Sequence, residues 1–348
     1  MKAIKIEYDY LPLFLNKIVE KEFSVYSLIL NQPLYRVNYK EGRIDSIYSI
    51  VPYDWFTCEK PSDIWLRDVF QTAGVLQYPN LDSVLREIRE EAEKRSNITV
   101  GKPGVLVVAV DSNILYNWFI SNYLVDVPNI GIAVSSIVED EVLFNAHCES
   151  RLATRRKKLV RELRRTFQNR GIQPPEFIHD KINLIESRKA ILALVELERI
   201  KKRFNVYQRI PGRGRGDKGI VESYNIFKEK HGFPLIFLTM DDRSRVYASM
   251  LNLENLFLEQ YNRVTPGLLR FDYMKLPQLI YITATYFIAI RVTGERGWMD
   301  IYAEWRGKTL DDWYKGIIYV KSLLEEKVCH EIKLLKNIAN FLPKEHQQ

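Results

Sequence analysis

Cysteine is scarce: Cys58, Cys148 and Cys329 are the only three in 348 residues. No two stand close enough for a CxxC metal or redox motif, and a disulfide scaffold is not indicated. A hydrophobic signal core is also missing, because Met1 to Tyr10 alternates charged with apolar residues, the pattern of a chain that stays in the cytoplasm. Long apolar runs are lacking too. The best candidate for a membrane span, Leu279 to Ile290, is rich in Ile, Thr and Tyr and ends at Arg291. It is too short for a bilayer and reads as a strand, so no membrane partner is expected. There is no GxxxxGK, and the glycine-rich passage from Gly212 fails a GxGxxG register because position 217 is Asp. No internal repeat or low-complexity tract occurs.

What is present is the material of a large folded protein. The length exceeds a usual single domain, and 46% hydrophobic residues, 27% charged residues, 20 Tyr and 16 Phe argue against disorder. The net charge of +7 favours an anionic partner, nucleic acid first.

Three regions follow from the pattern. Residues 1–100 read as an α+β region without recognisable chemistry: β-rich runs Val25 to Tyr39 and Ile44 to Val51 flank the turn Lys40 to Arg43, and an amphipathic helix carries Leu81, Val84, Leu85 and Ile88 towards Arg95. Residues 105–260 alternate strands and helices. Residues 261–348 read as a hairpin, Leu279 to Thr293 with Trp298 to Trp305 around Gly294-Glu295-Arg296-Gly297, followed by one long helix from Leu310 to Phe341. A helix of that length needs a partner surface, in the N-terminal region or in a second copy of the chain.

The middle region carries the chemistry. Val105 to Val110 is a continuous apolar run of the kind buried on both faces of a parallel sheet, and it ends at Asp111-Ser112-Asn113. An aromatic, helical stretch follows, Ile114 to Leu124, and then the apolar run Ile130 to Val134. Ser135 or Ser136 can cap the next helix, which holds Glu141 near its entrance, with Glu139 and Asp140 as alternatives in register. Within a basic helical insertion at 150–215, residues 151–170 hold nine Lys or Arg against the single acid Glu162. Arg155, Arg156, Lys157 and Lys158 there have more charge than a solvated face requires, which points to phosphate contact. After Pro174-Pro175 and a helix from Leu184 to Arg203, the passage Arg209 to Lys218 forms a mobile basic loop with Arg213, Arg215 and Lys218. It stops at Asp217, heading a helix from Ile220 to Lys230. Leu235 to Leu238 is a second buried-type strand, ending in Thr239-Met240-Asp241-Asp242, and Asn255 to Leu258 adds a last one.

Taken singly, each acid has a bland reading: a helix cap for Asp111, Asp217 and Asp241, a solvated helix turn for Glu141. Taken together, four acids follow successive elements of one α/β unit, and ligands in such folds bind beyond the carboxyl ends of the strands. A carboxylate cluster repels itself unless a cation intervenes, and hard oxygen ligands select Mg²⁺ or Mn²⁺.

In this order the motifs resemble the PIN-domain nucleases: a strand ending Asp-x-Asn (Asp111 to Asn113), Ser-Ser leading to a helical Glu (Ser135, Ser136, Glu141), a helix-opening Asp (Asp217) and a strand ending Thr-x-Asp (Thr239 to Asp241). The resemblance covers about residues 105–260. It implies a Rossmann-like parallel sheet flanked by helices and Mg²⁺- or Mn²⁺-dependent hydrolysis of phosphodiesters, usually in RNA. It further implies Asp111, Glu141, Asp217 and Asp241 as metal-binding catalytic residues, with Asp242 as a further or substitute ligand and Asn113 and Thr239 as the polar groups that orient them. With Asp111 on a metal, the helix cap passes to Ser112 or Asn113. Between Glu141 and Asp217 lie 75 residues, more than compact toxin-type members have, which favours a processing or decay nuclease with its own substrate-gripping parts. Two other readings stay open: a non-catalytic nucleic-acid-binding or assembly protein on the same scaffold, and a DNA structure-directed nuclease with the same site.

Overall fold

A computed structural model describes residues 3–51, 59, 61–96, 104–147, 149–169, 182–305 and 307–341. Cys58, Cys148, Pro174-Pro175 and most of the connector from Ser96 to Gly104 lie outside them. The chain forms β1 (Ile4–Glu7), α1 (Leu11–Ile18), β2 (Glu22–Ser27), β3 (Gln32–Asn38), β4 (Arg43–Ile47), α2 (Asp63–Thr72) and α3 (Leu81–Ser96). It continues with β5 (Leu106–Val110), α4 (Ser112–Tyr116), β6 (Ile130–Ser135), α5 (Ser136–His147), α6 (Glu149–Asn169), α7 (Ile185–Arg203), β7 (Tyr207–Ile210), α8 (Gly216–His231), β8 (Leu235–Thr239), α9 (Asp242–Met250) and β9 (Asn255–Phe257). The last elements are α10 (Leu276–Phe287), β10 (Ala289–Gly294), β11 (Gly297–Tyr302), α11 (Leu310–Tyr314), β12 (Ile317–Ser322) and α12 (Glu325–Phe341). None of the helices among the described residues is long and apolar enough to cross a membrane.

The three-region division does not hold in space. One compact unit joins residues 1–66, 155–182 and 265–348, and a second joins 67–154 and 183–264. The first unit has a seven-stranded sheet of order β1-β12-β11-β10-β2-β3-β4, so both ends of the chain share one sheet. All its strand pairs are antiparallel. The Lys40 to Arg43 and Gly294 to Gly297 turns join β3 to β4 and β10 to β11 as the pattern implies.

Two readings of this unit need correction. Leu279 to Phe287 is helical, within α10, and only Ala289 onwards is a strand. Nearly every side chain of α10 is buried, so no polar face marks its period, and an apolar run alone does not separate strand from buried helix. Pro277 in its first turn and the back-bonded hydroxyls of Thr283 and Thr285, which donate to Leu279 and Tyr281 carbonyls at 2.7 and 2.9 Å, fit the helix. The expected long helix at Leu310 to Phe341 is α11, β12 and α12. Gly316 interrupts it at φ +61, where a Cβ would lie 2.2 Å from the Tyr8 ring. Within the unit α12 meets α1 through Lys17 and Glu331 at 2.7 Å.

The second unit is built on five parallel strands in the order β7-β6-β5-β8-β9. Every residue of β5, β6 and β8 is buried, as strands covered by helices require. Its apolar core draws on Val84 and Ile88 of α3, Val138 and Val142 of α5, Leu197 of α7 and Val221 of α8, so α3 belongs with this sheet and not with the N-terminal region. The helix expected from Ile114 to Leu124 is α4, a left-handed Trp118 (φ 50) and a π-helical turn from Ile120 to Leu124.

The register of β5 with β6 ends at Val110 and Val134, and no strand-to-strand bond joins the Val110 carbonyl to the next amide, that of Ser135. The Tyr224 hydroxyl of α8 accepts from the Ser135 amide at 2.9 Å and donates to the Val110 carbonyl at 2.6 Å. Tyr224→Phe leaves both groups buried and unpaired, at about 1–3 kcal/mol each. A fall in urea midpoint equivalent to about 3 kcal/mol, with unchanged slope, is expected; a shift below about 0.5 kcal/mol would show that neither bond matters.

Candidate metal centre

Parallel topology brings the four acids to one edge. Asp111 follows β5, Glu141 lies in the helix after β6, Asp217 in the helix after β7, and Asp241 follows β8. All four therefore stand at the carboxyl ends of adjacent strands.

Asp111 is buried and caps α4, its Oδ1 accepting from the Ile114 amide at 3.1 Å. The cap does not pass to Ser112 or Asn113. The second oxygen, Oδ2, accepts from the Thr239 hydroxyl, and Thr239 in turn accepts from the Asp241 amide at 2.9 Å. Burial pushes the Asp111 carboxyl up to about 6, against the hydrogen bonds from Thr239, Ile114 and Met240 that favour its charge; the Asp241 carboxylate adds to the rise. Asp241 caps α9, accepting from the Arg243 and Ser244 amides at 2.7 and 3.2 Å.

Glu141 and Asp217 form the other half. Glu141 keeps solvent access, yet burial of its carboxyl raises its pKa, the Ser112 hydroxyl opposes the rise, and the Asp217 charge adds to it. Asp217 is not the cap of α8. That position is Arg215, and Asp217 sits in the first turn. Ser112, next to Asp111, is therefore the link between the two halves. Asn113, expected to orient the acids, is exposed, and its main-chain oxygen accepts from Asn117.

The alternative acids have other tasks. Glu139 is buried and accepts from Arg209 and, at 2.7 Å, from Tyr207, with Lys201 at 3.7 Å. Asp140 is exposed. Asp242 is exposed and pairs with Arg245 at 2.7 Å.

The basic residues divide between the units. Arg155, Lys157 and Lys158 are exposed and Arg156 half-buried on α6, in the first unit; the apolar face of that helix, Leu159, Val160, Leu163 and Phe167, is buried. Arg213, Arg215 and Lys218 are exposed in the unit that holds the acids. Their loop is not loose. Ser135 caps α5 through the Ile137 amide, which leaves the Ser136 hydroxyl to accept from the Gly212 amide at 2.8 Å, and the Ser223 hydroxyl accepts from the Arg213 amide at 2.9 Å. A Cβ at Gly212 would stand 2.4 Å from Ile137.

Groups not anticipated also approach Glu141. Asn145 donates to the Tyr116 hydroxyl at 3.1 Å. Burial raises the Tyr116 phenol, Asn145 opposes this, Glu141 adds to it, and Lys189 lowers it. Lys189 is paired with Asp68 at 2.7 Å. The spacing of Tyr116 from Ser112 and of Asn145 from Glu141 is one helical turn, a signal present in the sequence. Lys189 has no such local sign.

As a donor set these residues suit a hard divalent cation: oxygens only, from separate elements, with burial and then a neighbouring like charge raising two of the carboxyls. They stand as two pairs, Asp111 with Asp241 and Glu141 with Asp217. Among the described residues no group of three or more His, Cys, Asp or Glu side chains is close enough to hold an ion. A cation would have to draw the pairs together. Scanned against protein-family models the chain matches none, and it has no significant match among curated proteins.

The raised Asp111 value has a consequence for stability. The folded state resists ionisation of this carboxyl, so its contribution to stability is greatest below the ordinary value of 3.8 and is lost as pH rises through about 6. In chelator, Asp111→Asn should therefore stabilise the protein at pH 7 by up to about 3 kcal/mol and do little at pH 3.5. Equal denaturation midpoints of the two proteins at pH 7 would contradict this.

Proposed function

We propose that the chain is a divalent-metal-dependent nuclease of PIN type acting on single-stranded RNA. The observation that carries the reading is the position of four carboxylates at the carboxyl edge of one parallel sheet, in the order of the resemblance, with the Thr239 hydroxyl bonded to Asp111. Asp111, Glu141, Asp217 and Asp241 would hold Mg²⁺ or Mn²⁺. When bound, such an ion polarises a phosphodiester oxygen and makes water acidic enough to attack phosphorus.

The protein's own part is positioning. Thr239 and the Ile114 amide hold both oxygens of Asp111, so little reorganisation remains for that residue. Ser112 orients Glu141. Arg213, Arg215 and Lys218, on a loop pinned by Ser136 and Ser223, offer cations to the sugar-phosphate chain, and the Tyr116 hydroxyl with Asn145 offers a polarised donor beside Glu141.

A non-catalytic nucleic-acid-binding scaffold is the second reading, favoured by the separation of the acids into two pairs. A DNA-directed nuclease would share the site. The purified protein should cleave single-stranded RNA with Mn²⁺ or Mg²⁺, lose activity in chelator, and lose cleavage by at least about 100-fold in Asp111→Asn while still binding. Metal-independent cleavage or full activity of that variant would exclude the proposal, binding without cleavage would favour the scaffold, and faster cleavage of flap or bubble DNA in parallel assays would change the substrate.

If the loop touches phosphates, Arg213→Ala with Arg215→Ala should lower the slope of log affinity against log salt by about 1–2. An unaltered slope would remove the loop from the interface.

A further inference from the structure

The acid-bearing unit also carries a groove to which the proposed chemistry assigns no task. It has a volume of about 620 Å³ and lies between α9 and the edge strand β9, lined by Arg245, Val246, Ser249, Met250, Asn255 and Phe257. Met250 is 73% exposed and Val246 49%, so α9 turns apolar side chains outward at this place. The Arg245 guanidinium lies over the Phe257 ring, 4.9 Å from its centre, and pairs with Asp242 at 2.7 Å.

The groove is tied to the acid centre by short connections. Asp241 caps α9, and its carbonyl accepts from the Arg245 amide at 3.0 Å. Phe257 is the register partner of Thr239, the residue whose hydroxyl donates to Asp111. Neighbouring strands are about 4.8 Å apart. The groove thus begins one strand from Thr239 and two from β5, the strand that ends at the buried Asp111.

We propose that this groove receives a base of single-stranded RNA flanking the phosphodiester at the acid centre, an inference that rests on the nuclease reading above. An arginine laid over an aromatic ring gives an unpaired base a stacking platform, the base lying on the guanidinium plane that the Phe257 ring supports from beneath. The apolar side chains of Val246 and Met250 cover the other face. A duplex keeps its bases stacked inward and offers none to such a groove, so the site favours single strands. The cation also sets the groove apart from a purely apolar seat for a second copy of the chain.

The test uses the full chain carrying Asp111→Asn, a fluorescein-labelled 12-nucleotide single-stranded RNA, and the matching duplex as competitor, read by fluorescence anisotropy. Phe257→Leu and Met250→Ser, neither of which changes charge, should weaken single-strand binding about tenfold and about threefold respectively, with duplex affinity unchanged. Met250 is exposed enough that its replacement leaves folding intact, and the urea midpoint of Phe257→Leu checks the other variant. Binding as tight as the parent in both variants overturns the groove assignment while leaving the nuclease reading standing. A parent protein that binds no RNA overturns both. Loss of a concentration-dependent dimer in Met250→Ser, with RNA affinity unchanged, would overturn it in favour of a second copy.

Discussion

The Tyr224 hydroxyl holds together the edge on which the account depends. It spans the gap between the last carbonyl of β5 and the amide at the end of β6, where the parallel ladder stops and two buried backbone groups would otherwise be orphaned. The residue after the first of those groups is Asp111. The residue carrying the second, Ser135, caps the helix that bears Glu141, and Tyr224 itself belongs to the helix that bears Asp217. One hydroxyl therefore fixes the starting points of three of the four acids. Thr239 does the same service for the fourth, joining Asp111 to the turn before Asp241.

A site built this way is under electrostatic tension. Asp111 is dehydrated and lies beside Asp241, Glu141 lies beside Asp217, and the pKa values of Asp111 and Glu141 are raised. Structural acids are ordinarily relieved by basic partners, as Glu139 is by Arg209 and Lys201. The contrast within α5 is informative: Glu139 and Glu141 are two residues apart, and among the described residues only the former is paired with cations. Leaving a carboxylate cluster without them costs stability, and such a cost is common at functional sites.

Much of this was legible in the sequence, for identifiable reasons. The strands β5, β6 and β8 are covered by helices, so their apolar runs are continuous and conspicuous, and the acids stand immediately beyond them or in the helix that follows. What failed did so where periodicity carries no information. The helix α10 is buried on all sides and has no polar face. The edge strand β7 is four residues long, with two of them exposed, and has no apolar run to mark it. The pairing of the two chain ends in one sheet depends on contacts across nearly the whole sequence, which no local window contains. At the site, Asp111 caps α4 with one oxygen and accepts from Thr239 with the other, and it is Ser112, not the exposed Asn113, whose side chain meets Glu141.

The central claim is that the four carboxylates hold one divalent centre. It is tested most directly by crystals of the full chain soaked in Mn²⁺ and measured for anomalous scattering. The account predicts a peak bounded by Asp111 with Glu141, Asp217 and Asp241, the two pairs drawn together around it. Ordered carboxylates with no peak among them, or a peak held by other residues, would contradict it.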